Sequence, residues 1–139
     1  MSFQTENIQG TFLKKARTPQ SMQGQLLLAD LNAGIVVVPG LESRIVQLLG
    51  FRFKMNGTFT TLTDMRLQTT ESTPTDLVTI VAAQMGDAVV HTETLGTNTK
   101  SAAFWLPLAR GTNLKVVKTG GTAAGGTSID YVISYLFDA

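Results

Sequence analysis

The chain has no cysteine among its 139 residues, which excludes disulfides, thiolate metal sites and cysteine nucleophiles together. Histidine is almost as scarce, since His91 is the only one. Neither a His-based triad nor a multi-histidine metal site can then be built within one subunit. The one arrangement that escapes this limit is a three-fold axis gathering three copies of His91, and the plain reading is a structural or surface residue. Charge is sparse and balanced: eleven basic and ten acidic side chains give a formal net charge of +1, so no overall field draws nucleic acid or an anionic membrane. Proteins are the expected partners, a small-molecule ligand is not expected, and nothing calls for a cofactor. Long apolar runs are missing too. Those at Gly34 to Val38 and Ile45 to Phe53 are far short of a bilayer span and are broken by Gln47, Gly50 and Arg52. The first residues, Met1 to Asn7, lack a basic stretch followed by an apolar one, so the expectation is a chain made and folded in the cytoplasm without secretion.

What the chain has in quantity is threonine, glycine and β-branched residues, a balance that favours strands and turns over helices. Its length fits one domain with a proper core. The clearest organising stretch is Gly111 to Phe137. A strand at Leu114 to Lys118 is followed by a glycine-rich loop, Gly120 to Gly126, and then by a run in which Ile129, Tyr131, Ile133, Tyr135 and Phe137 share one face. That period of two is what a half-buried strand requires. Two strands so joined form either a wide hairpin or a crossing between packed sheets, and both belong to an all-β, antiparallel β-sandwich.

Taken in order, residues 1–23 are polar and irregular, and read as an extended N-terminal arm preceding a single domain at residues 24–139. Phe3, Ile8, Phe12 and Leu13 are its apolar anchors, and Lys14, Lys15 and Arg17 form a basic cluster. These seven are the candidate partner-binding residues, with a solvated patch as the alternative for the cations. Gln25 to Ala29 and Gly34 to Val38 read as strands around a loop at Asp30 to Gly34. The strongest core signal is Arg44 to Met55, with Leu49, Phe51, Phe53 and Met55 on one face. Asn56-Gly57 follows, but a two-residue hairpin there would set the buried face of one strand beside Thr60 and Asp64. A longer loop, or a corner into the facing sheet, is therefore expected. Leu77 to Met85 reads as a strand running into one helical turn near Ala82, Ala88 to Thr92 as a short strand, and Ala103 to Leu106 as an apolar run ended by Pro107 at a strand end or edge. At most one or two short helical turns are expected.

Candidate sites are few. The carboxylates Asp30, Glu42, Asp64, Glu71, Asp76, Asp87, Glu93 and Asp130 are scattered through turns and outward positions, and a glycosidase pair among them would have to form in space. The double glycines lack the Gly-Lys-Ser/Thr and following helix of a phosphate loop, and fit backbone freedom or close approach to a neighbouring subunit. Trp105 with Phe104 could form a sugar-stacking platform, although a lone Trp in an apolar run more often belongs to a core or interface. Phe104, Trp105, Val132 and Leu136 are the candidate oligomer-interface residues, being apolar surface in excess of one small core.

Several features in this order resemble a known family: Val36-Val37-Val38-Pro39-Gly40 leading into the Ile45 to Phe53 strand, Leu77 to Ala88, Leu106 to Leu114, and the closing Gly125 to Tyr135. Together they look like the small jelly-roll proteins of tailed-bacteriophage virions, especially capsid decoration or cement proteins. The resemblance covers about residues 34 to 137. It implies a jelly-roll sandwich, no enzymatic activity and no catalytic residues. It further implies a homotrimer on the capsid surface, bound to the major capsid protein or another virion protein and bracing the head across neighbouring shell subunits. A neck, tail or fibre component of a phage is the alternative within the same resemblance, and a carbohydrate-binding module is the alternative outside it.

Overall fold

A computed structural model describes residues 19–40 and 44–138. Among the described residues, nine strands form two antiparallel sheets: β1 Gln20–Leu27, β2 Ile35–Val38, β3 Ile45–Asn56, β4 Thr60–Thr69, β5 Asp76–Val81, β6 Val90–Thr92, β7 Thr99–Lys100, β8 Leu114–Ala124 and β9 Ser128–Asp138. One sheet has the order β1-β9-β3-β6 and the other β2-β8-β4-β5-β7. Among the eight longer strands, only β4 and β5 are joined as a hairpin within one sheet, and every other connection between consecutive ones crosses to the facing sheet. Two four-stranded sheets interleaved in this way are a jelly roll, with β7 added at one edge. The fold class read from the sequence is therefore the one observed. The helical content of the described residues is one α-helix, α1 at Leu28–Ala33, and two 3-10 turns at Ala82–Gln84 and Ala102–Trp105, one piece more than the one or two expected.

The alternating pattern of β9 builds the core. Ile129, Ile133, Tyr135 and Phe137 are buried, and they meet Val46, Leu48, Phe51, Phe53 and Met55 of β3 beside them and Met65, Leu67, Leu114 and Val116 of the facing sheet. Tyr131 is only half-buried, lying over Gly24 of β1, where an added Cβ would stand 2.7 Å from its hydroxyl. Leu49 departs from the expected inward face. The β3–β9 register jumps between Leu48 and Gly50, so Leu49 is the extra residue of a β-bulge, and alternation restarts one position later. Val46 and Leu48 before the bulge, and Phe51, Phe53 and Met55 after it, all face inward.

Other expectations are settled by the same packing. The Asn56-Gly57 signal is a corner, since β3 and β4 belong to different sheets; Thr127 N–H donates to the Asn56 carbonyl at 2.8 Å and Gly57 N–H to the Asp87 carboxylate at 2.8 Å to hold it. The strand and helical turn expected near Leu77 to Met85 are β5 and the Ala82–Gln84 turn. The loop expected at Asp30 to Gly34 is instead most of helix α1, too short to show apolar periodicity and held by tertiary contact. Leu31 is buried, and Asn32 exchanges hydrogen bonds with the Ala123 backbone at 2.8 and 3.4 Å. The glycine-rich stretch is strand for most of its length. Gly120 and Gly121 lie within β8 opposite bulges of β4, where an added Cβ would come 2.6 Å from Thr63 N and 2.6 Å from Thr61 O. Close approach of a neighbouring strand of the same chain explains these two glycines. The boundary expected at residues 23 and 24 falls inside β1, so residues 20–23 belong to the sheet.

Phe51→Ala is expected to cost about 3–5 kcal/mol through the cavity it leaves, measured by chemical denaturation. Leu49→Ser, two positions earlier but across the bulge, is expected to cost far less. Equal losses would show that the bulge is absent and that both side chains share the core.

Candidate interaction surface

Strand β3 has β9 along one edge, while β6 pairs with only its Arg52 to Lys54 portion on the other. The open remainder is closed by side chains and loop. Glu93 accepts the Phe51 N–H at 3.1 Å, Leu108 N–H donates to the Val46 carbonyl at 2.9 Å, and Gly111 N–H to the Arg44 carbonyl at 3.0 Å. The Gln47 side-chain amide donates to the Trp105 carbonyl at 3.0 Å. The segment from Ala102 onward is thus fastened along a sheet edge, which blocks unwanted strand pairing there.

Its first turn divides the apolar run expected to serve as an interface. Phe104 is fully buried, with its ring centroid 5.8 Å from that of Phe51 at 72°. It is therefore a core residue, which corrects its assignment as an interface residue: only a side chain at a turn position facing Phe51 can enter the sandwich, and Phe104 takes that position. Trp105 and Leu106, next in sequence, are 52% and 54% exposed. The Trp105 ring packs edge-on against Phe104, centroids 4.4 Å apart at 76°, so an exposed aromatic is anchored to the core through its neighbour. Val132 and Leu136 lie on the outer face of β9 and are half-buried. Leu136 pairs with Gln47, the residue bonded to Trp105, whereas Val132 pairs with Arg52 and Gln23. Four residues along a strand separate the two by about 13 Å. The structure thus brings Trp105, Leu106 and Leu136 to the same end of β3 and leaves Val132 farther along. The seven arm residues Phe3, Ile8, Phe12, Leu13, Lys14, Lys15 and Arg17 lie outside the described residues. Leu106 belongs to the apolar run that the sequence put forward, whereas the exposure of Val36 on β2 was not singled out, because alternation reports which face a residue takes and not whether another strand covers it.

The polar candidates have structural partners. His91 is fully buried. The Gln84 carbonyl can only accept, so Nε2 carries the proton and donates to it at 2.7 Å, leaving Nδ1 to accept from the Asn98 amide at 3.3 Å. A ring so enclosed cannot meet its copies around a surface axis. Asp30 accepts the Leu27 N–H at 3.0 Å, Asp130 the Gln25 amide at 3.3 Å, and Glu71 the Thr112 hydroxyl at 3.5 Å; Glu42 lies outside the described residues. On the outer face of the second sheet, Arg66 grips Asp64 through Nε at 2.9 Å and an Nη at 3.0 Å, and reaches Asp76 at 3.0 Å. Thr119 donates to Asp64 at 2.7 Å and Gln68 to Asp76 at 2.6 Å. This network braces β4, β5 and β8 across three strands. The Arg66 guanidinium, aided by Thr119, holds the Asp64 carboxyl below its ordinary value against the opposing effect of burial. A glycosidic general acid needs the reverse shift. Among the described residues, no three His, Asp or Glu side chains gather as metal ligands, and no helix is long and apolar enough to cross a membrane.

Neither the comparison with protein-family models nor the search of curated proteins returns a match.

Because the folded-state value of Asp64 is depressed, its stabilising contribution is present above the ordinary carboxylate range and is lost as pH falls through the folded value. Asp64→Asn should therefore be less stable than the parent at pH 7, with the two denaturation midpoints converging as the solution is acidified below about pH 3. A difference that stays constant with pH would show that the ionised carboxylate contributes nothing.

Proposed function

We propose that this chain is a structural virion protein of the capsid decoration kind, which binds across neighbouring shell subunits on the capsid surface and braces a phage head. In this reading it is made in the host cytoplasm, has no catalytic role, and assembles as three copies. The observation that carries the reading is the pair Trp105 and Leu106, consecutive large apolar side chains held in solvent at a hydrogen-bonded sheet edge. Exposed aromatic residues anchored from behind are the usual source of binding energy at protein interfaces. The jelly-roll topology agrees with the resemblance, but a fold of this kind hosts many functions, so the surface carries the argument. A neck, tail or fibre position would use the same surface. The exposure of Trp105 also favours a second reading, carbohydrate binding by ring stacking, for which the residue had to be accessible.

Heads prepared without the protein and mixed with purified chain provide the test. The wild type should bind saturably and raise the temperature at which heads rupture. The Trp105→Ala/Leu106→Ser double variant should bind about ten-fold or more weakly, with an unchanged circular dichroism spectrum. A wild type that ignores such heads would sink the decoration reading; glycan binding that Trp105→Ala abolishes would establish the second.

A further inference from the structure

Asn56-Gly57 is the one Asn-Gly pair in the chain; of the asparagines Asn7, Asn32, Asn56, Asn98 and Asn113, no other precedes glycine. The pair carries a reactivity of its own. The backbone nitrogen of the second residue can attack the side-chain amide carbon of the first, and a glycine there, lacking a side chain, lets the two atoms meet. At this site a bond would form between Gly57 N and Asn56 Cγ, and ammonia would leave, taking up the proton that the Gly57 N–H gives up. Water then opens the cyclic imide at either carbonyl, which yields aspartate or an isoaspartate whose backbone runs through the former side chain. The net reaction is hydrolysis of the amide and needs no reactant besides water.

In the folded chain both reacting groups are held. The Gly57 N–H donates to the Asp87 carboxylate at 2.8 Å, and the Asn56 side-chain amide donates to the Ser128 hydroxyl at 3.0 Å. The Asn56 carbonyl accepts from the Thr127 N–H at 2.8 Å and from the Thr127 hydroxyl at 2.9 Å. The turn that presents Asp87 is fixed on the same corner: the Asp87 N–H donates to the Thr58 hydroxyl at 3.2 Å, and the Ala88 N–H to the Met55 carbonyl at 2.9 Å. Ala88 takes a φ of 63°, a left-handed conformation that a residue with a Cβ holds only where its surroundings impose it. Gly57 has a φ of 91°, and a Cβ added to it would stand 2.9 Å from Gly126 Cα. The corner therefore requires glycine after Asn56 and retains the labile pair.

We infer that Asn56 is the chain's site of spontaneous deamidation and that Asp87 holds it closed in the folded protein. Gly57 N can attack only as its proton departs. A carboxylate that accepts the hydrogen bond from that N–H stabilises the protonated nitrogen, and its charge opposes the negative charge that would develop there. The Ser128 hydroxyl restrains the other partner by fixing the direction of the Asn56 amide. Water is not the limiting reactant, since Asp87 is exposed and Asn56 and Gly57 are only half-buried. Opening the site has a structural consequence. Isoaspartate would lengthen the backbone between β3 and β4 at the point where the chain crosses from one sheet to the other, and would pull the Asn56 carbonyl away from Thr127. The Gly86–Ala88 turn thus guards a chemical weak point that the geometry of the corner makes necessary, and this role is independent of the virion reading.

Incubation of the full chain at neutral pH, followed by peptide mapping and mass spectrometry, measures deamidation at Asn56 directly. Folded wild type should react far more slowly than the same chain unfolded in urea. Asp87→Ala should speed the reaction in the folded state about ten-fold or more, the rate equivalent of a hydrogen bond to a charged group. Asp87→Asn keeps an acceptor oxygen without the charge and should fall between the two. Hydrogen exchange of the β9 amides separates a local effect from general loosening: it should match wild type in both variants, and acceleration seen only together with faster β9 exchange would overturn the role given to Asp87. Wild type that deamidates as fast folded as in urea would overturn the inference outright. Should Asp87→Ala fail to fold, Asp87→Asn carries the test, and a rate equal to that of wild type counts against the carboxylate.

Discussion

The structure depends on β9 being paired on both sides. The last strand of the chain lies between β1 and β3 in the middle of its sheet, with Ile129, Ile133, Tyr135 and Phe137 forming a continuous apolar row toward the facing sheet. Burial of that row supplies a large share of the driving force, at roughly 25 cal/mol for each Å² of apolar surface removed from water. Its contacts are also among the most distant in the chain, since Gln25 and Asp130 are 105 residues apart. Loop-closure entropy must be met before such pairings contribute, which places the fold among the slower-forming, high-contact-order topologies.

Once β9 is in place, the remaining features are local adjustments to a closed sandwich. The bulge at Leu49 lets one long strand keep an apolar inner face along its whole length. Gly120 and Gly121 let β8 press against the bulged part of β4. The Ala102–Trp105 turn sends Phe104 into the core at the edge of β3 and, as a geometric consequence, leaves Trp105 and Leu106 outside. Surface and core are coupled here, because the ring that fills the core also supports the ring that faces solvent.

The ionisable groups follow one pattern. Asp87, Glu93 and Asp30 each receive a backbone N–H at a corner or edge, and Arg66 ties Asp64 and Asp76 into a brace. Their hydrogen-bonding capacity is used in closing the sandwich. Trp105 and Leu106, consecutive and exposed at a sheet edge, are the apolar surface on which the proposed assembly rests.

How much of this was legible varies by element. The period-two rows of β3 and β9 were plain in the sequence, and the mismatch of faces across Asn56-Gly57 was enough to place a corner there. The candidate interface was half legible: the Phe104-Trp105-Leu106 run was visibly apolar, but nothing in it distinguished the side chain that enters the core from the two that stay out. Helix α1 was hidden because six residues with one buried leucine have no periodicity, and contact with β8 holds them. The sequence by itself determined the all-β class and the main strands with most of their faces, because alternation is a property of neighbouring residues. Only the tertiary structure decided the Leu49 bulge, the strand conformation of the glycines and the burial of Phe104, because each depends on a backbone or ring distant in sequence with which it must share space.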